Sequence, residues 1–110
     1  MAAKLYGADN APLKIQFITD PHYYSRKGGT EGKAYEKAEA KSQKIIKDSD
    51  LVIKAGFDLL CADTSTDIVV LAGDTTRDGE LASHAEFIEM LRDLKKRGKR
   101  GYVITATHDY

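Results

Sequence analysis

The 110-residue chain has a single cysteine, Cys61. A lone thiol excludes an internal disulfide, and with it the small secreted domains built on a disulfide framework. Flanked by Leu59, Leu60 and Ala62, it reads as a buried helix residue rather than a reactive thiol. Long apolar runs are also missing. No stretch approaches the ~18 consecutive apolar residues of a membrane-crossing helix, and Met1 to Asn10 lack the apolar segment of a signal peptide. The compartment is left open by this. Charge of one sign is not in excess, with 17 basic residues against 17 acidic, so no electrostatic nucleic-acid footprint is evident. The phosphate-cradling glycine patterns G-x-G-x-x-G and G-x-x-x-x-G-K-[ST] do not occur, which weighs against a nucleotide-binding module.

What the chain does have is apolar content of 42% and charged content of 31%, the balance of a soluble globular domain. At this length roughly 65% of the unfolded surface can be buried. The most informative stretch is Ile68-Val69-Val70-Leu71-Ala72-Gly73-Asp74. A short unbroken apolar run ended by turn chemistry predicts a fully buried strand of a parallel sheet. Its carboxylate then lies at the strand's carboxyl end, where open α/β sheets put their ligand sites. Two further segments share that grammar: residues 13–19 leading into Asp20-Pro21-His22, and Gly101 to Ala106 leading into Thr107-His108-Asp109.

Between these strands the pattern turns helical. Residues 33–47 predict an amphipathic, mostly solvated helix. Asp48-Ser49-Asp50 offers a fresh N-cap for a second helix over 51–62, with Leu51, Val52, Ala55, Leu59 and Ala62 on its inner face. A single bent helix over 33–62 is the alternative. Residues 81–97 predict another helix, its inner face formed by Leu81, Ala85, Ile88, Leu91 and Leu94, widened by Phe87 and Met90. Basic residues crowd its last turn and Gly98 closes it. Residues 1–12 read as a flexible lead-in. Residues 20–32, with Tyr23, Tyr24, Arg26 and Lys27, read as a long solvated loop. Arg77 reads as an exposed turn residue and His84 as a neutral surface or packing residue. The order β-α(α)-β-α-β predicts an α/β fold with a three-stranded parallel sheet and right-handed crossover helices. So few helices cover one sheet face well and the other only in part.

Asp20-x-His22 puts a carboxylate and an imidazole on the same side of an extended segment. Alone, this pair reads as a turn-forming Asp before Pro21 and a surface His; Gly73-Asp74 alone reads as a capped turn. Three strands delivering Asp and His to one sheet edge is a different matter. Converging carboxylates repel unless protonated or bound to cations. Mixed carboxylate and imidazole donors suit manganese, iron or zinc better than calcium, and a pair of such ions can clamp a phosphoryl group.

In this order Asp20-x-His22, Gly73-Asp74 and Thr107-His108-Asp109 resemble the first three blocks of the calcineurin-like metallophosphoesterases: D-x-H, then G-D, then G-N-H-(D/E), each at a strand end. The likeness runs over residues 13–110. It implies half of a two-sheet α/β/β/α sandwich, and a parent enzyme that hydrolyses phosphomonoesters or phosphodiesters by hydroxide attack at two divalent metal ions. Asp20 and His22 would bind the first ion and Asp74 would bridge both. Thr107 stands at the second-ion position, and His108 would act catalytically on the phosphate. Asp109 receives no role.

Two differences from the family pattern bear on activity. Ala106-Thr107 replaces Gly-Asn, a poorer second-ion ligand, and the family's later histidines lie outside this sequence. The 110 residues are therefore expected to form the N-terminal half of such a domain, inactive alone and binding one ion weakly at most. The alternative is a catalytically silent module that self-associates, as a dimer or higher oligomer, through its uncovered sheet face.

Overall fold

The computed structural model describes residues 2–6, 11–43 and 45–110. The elements run β1 (Ala2–Tyr6), β2 (Pro12–Ile18), α1 (Lys33–Lys41), α2 (Ser49–Ala62), β3 (Ile68–Ala72), α3 (Leu81–Lys96) and β4 (Arg100–Ile104), with short 3-10 turns at Arg26–Gly28 and Thr107–Asp109. The chain is an α/β fold around one sheet in the order β1-β2-β3-β4. The three strands β2, β3 and β4 are parallel, in the register Phe17 beside Val70 beside Tyr102.

The stretch read as a flexible lead-in carries a strand. β1 pairs antiparallel with β2 from Ala2↔Gln16 to Tyr6↔Pro12. A fourth strand at the edge extends the predicted three-stranded sheet. Its sequence, Ala-Ala-Lys-Leu-Tyr, has no alternating apolar pattern, and strand formation there depends on a partner edge being present. The rest of the former lead-in, residues 7–10, lies outside the described residues.

Stepping from β2 to β3 to β4 in one direction, right-handed crossovers put both connecting helices on the same face of the sheet. That is the observed packing. Val69 and Leu71, alternate residues of β3, are fully buried under Phe57 and Leu60 of α2 and Phe87 and Leu94 of α3. The rings of Phe57 and Phe87 meet edge to face at 5.4 Å. The opposite face carries Phe17, Tyr102 and Ile104, which are 41%, 54% and 61% exposed. Among the described residues, no helix is long and apolar enough to cross a membrane.

The helices depart from expectation in instructive ways. α1 ends at Lys41, with Ser42 already extended, and α2 begins at Ser49, so two helices exist and not one bent rod. α2 faces inward with Ile53, Phe57, Leu60 and Cys61; Leu51, Val52 and Leu59 of the predicted inner face are more than half exposed. This helix is apolar nearly all round, so periodicity alone cannot select a face, and the bulk of Phe57 decides. In α3 the same rotation leaves Leu81 exposed and seats Phe87 in the core.

Candidate metal centre

The loops after β2 and β3 do not diverge when the strands end. Asp20 N–H donates to the Gly73 carbonyl at 3.3 Å, His22 N–H to Asp74 at 3.0 Å, and Tyr23 N–H to Thr75 at 3.0 Å. Arg77 N–H returns the favour to the Tyr23 carbonyl at 3.0 Å. The two segments stay zipped past the sheet edge, which brings their polar side chains together. Gly73, at φ 86°, makes the adjoining approach possible: a Cβ there would stand 2.8 Å from the Ala106 Cβ at the end of β4.

Asp20, His22 and Asp74 each offer a ligand atom within 4.8 Å of the others. Among the described residues, these same three are the only non-glycine residues with positive φ, at 49°, 45° and 44°. Such a backbone costs about 1 kcal/mol or more at each position and tends to collect where function requires it. Here it turns one residue after another toward a single point. His22 Nδ1 is buried without a hydrogen-bond partner, and its Nε2 stands 3.9 Å from Asp74 Oδ2. Two carboxylates and an imidazole form a possible donor set for a cation. The residues present therefore fit a divalent ion of the kind that accepts both oxygen and nitrogen.

His108 joins this rim from β4. Its backbone N–H donates to Asp74 Oδ1 at 3.0 Å, and its ring stands edge-on to the His22 ring with centroids 5.2 Å apart. Its Nδ1 lies 3.0 Å from Asp78 Oδ1. Asp78 fixes the orientation of the His108 ring. Thr107 is exposed at the start of the Thr107–Asp109 turn.

Asp109, left without a role by the sequence, is a buried tie. It accepts from the Thr75 hydroxyl at 2.6 Å, the Thr76 N–H at 2.8 Å and the Ala106 N–H at 3.0 Å. Burial pushes its carboxyl upward, but these donors outweigh burial and hold it well below the usual carboxylate range. His84 Nε2 meets the Asp109 carbonyl at 3.1 Å, so α3 also braces the turn that presents His108.

Other readings of the loop residues need correction. Tyr23 is fully buried and donates its hydroxyl to Glu86 at 2.5 Å; burial and that carboxylate push its phenol up. Arg26 and Lys27 stay exposed as a solvated loop predicts, with Arg26 tied to the buried Asp50 at 2.9 Å. Arg77 is mostly shielded and pairs with Asp78 at 2.8 Å. The 20–32 loop is thus anchored, and its ligand-bearing end is held in place. Comparison of the chain with protein-family models and with curated proteins finds no match.

Proposed function

We propose that this chain is the metal-binding half of a calcineurin-like metallophosphoesterase, whose parent hydrolyses phosphate esters. The observation that carries this is that two features fall on the same residues. The three side chains that converge are also, among the described residues, the three non-glycine residues held in left-handed backbone. Asp20, His22 and Asp74 would hold the cation, with manganese, iron or zinc as the candidates. When bound, the cation would supply Lewis-acid stabilisation of a phosphoryl oxygen. His108 stands beside the site, its ring oriented by Asp78, where it would steady the phosphate and the leaving oxygen. Three protein ligands leave the shell incomplete, so the chain alone is expected to bind one ion weakly and to turn over little.

Calorimetric titration of the chain with manganese tests this. One ion should bind, and Asp74→Asn should weaken it at least tenfold. Manganese-dependent hydrolysis of an aryl phosphate by the parent should vanish with the same change. Binding and turnover that survive Asp74→Asn would sink the proposal.

A second reading keeps the chain catalytically silent and self-associating. The exposure of Phe17, Tyr102 and Ile104 on one sheet face supports it.

A further inference from the structure

An apolar trough leads away from the candidate metal centre. Its first part, about 470 Å³, is walled by Asp20 and His22 of the centre and by Ile45, Ser49, Val52 and Ile53. Its second part, about 550 Å³, shares Val52 and Ile53 and continues over Ile18, Phe57, Leu59 and Leu60. The two adjoin at Val52 and Ile53, side by side along α2. Gln16 and Asp63 close the far end, where Asp63 is bonded to Lys14. From Asp20 to Gln16 the underlying strand advances roughly 13 Å. The trough is therefore polar at both ends and apolar between, with Asp20 and His22 at the end beside the candidate metal centre.

Gly56 lies in the middle of α2 and borders the trough. A helix-interior glycine costs about 1 kcal/mol relative to alanine. No turn requires it here, and a Cβ at this position would meet nothing within 4 Å. Its effect is to keep the wall recessed where Val52 and Leu59 stand exposed on either side.

We infer that the site takes amphiphilic phosphate esters, with the phosphate at Asp20, His22 and Asp74 and a medium-length alkyl tail lying along α2 in this trough. The phosphate end rests on the phosphoesterase reading above; the tail rests on the trough itself.

The test measures binding of ethyl, butyl, hexyl and octyl phosphate to the full chain with manganese present. Concentrations stay below those at which the esters form micelles, and manganese affinity is measured separately. Affinity should rise about threefold to fourfold per methylene and level off once the tail reaches Gln16 and Asp63. Gly56→Leu should remove that rise and melt no lower than the wild type, because the substitution gains helix propensity. A flat series with manganese bound overturns the trough and leaves the metal centre standing. A rise that persists unchanged in Gly56→Leu also overturns it. Failure to bind manganese or ethyl phosphate overturns both readings.

Discussion

The backbone N–H of His108 donates to the side chain of Asp74 at 3.0 Å. The carboxylate that ends β3 is thereby tied to the turn that ends β4, while its own main chain is bonded to His22 beyond β2. One residue connects the segments that follow all three parallel strands, and the behaviour of its neighbours follows from that.

Without metal, Asp20 and Asp74 crowd two negative charges beside His22. Asp20→Asn relieves that repulsion and is expected to leave stability unchanged or raise it by up to about 1 kcal/mol in chelator. Adding manganese should reverse the order. At a hundred times its dissociation constant a ligand adds about 2.7 kcal/mol, which the wild type should gain and the variant largely lose. Melting curves with chelator and with manganese check both halves.

Acid stability should depend on two carboxylates. Asp109 is held low by its donors against burial. Asp63 is held low by the Ser65 and Thr66 hydroxyls, then by Lys14 and the Ser65 N–H. A depressed carboxyl stabilises fully above its unfolded value near about 4 and loses that contribution as pH falls toward the folded value. The wild type should therefore destabilise steeply below about pH 4. Asp109→Asn should be less stable at neutral pH by about 2–3 kcal/mol and show a shallower acid slope. Asp63→Asn should flatten the same slope. Denaturant titrations at a series of pH values give both quantities.

Tyr23→Phe removes a buried hydroxyl that bonds Glu86 without changing ring packing against Phe87. A cost of about 1–2 kcal/mol is expected. Glu86 also pairs with Lys27 at 3.3 Å, so the loop that carries Asp20 and His22 loses one anchor. Chemical denaturation reads the first effect, and faster amide exchange at residues 22–28 reads the second.

The sheet face bearing Phe17, Tyr102 and Ile104 is expected to bury itself against another copy at high concentration. Ile104→Lys with Tyr102→Glu should give a monomer by light scattering. A monomeric wild type at millimolar concentration would show that the face tolerates water.

The parallel strands were legible because Ile68 to Ala72 is apolar without a break, and Asp20, His22 and Asp74 were legible because they sit where such strands stop. The centre's main-chain cause was not. Left-handed φ at an Asp or His leaves no sequence mark of the kind a glycine does, and the zipped loops depend on backbone groups that every residue shares. Tyr23 was misplaced because it lies among Pro21, Gly28 and Gly29, where composition says loop; its burial comes from α3, sixty residues away. The inner face of α2 was misassigned because Leu51, Val52 and Leu59 are as apolar as Ile53 and Leu60. Only packing against the sheet separates them.

The unbroken bonding between the segments after β2 and β3 has a consequence for selectivity among cations. Main-chain hydrogen bonds fix the backbone of His22 against that of Asp74, so the distance between their donor atoms is adjusted by side-chain rotation alone. Ions of different radius would then be told apart by how far those two side chains can turn while the peptide framework stays in place.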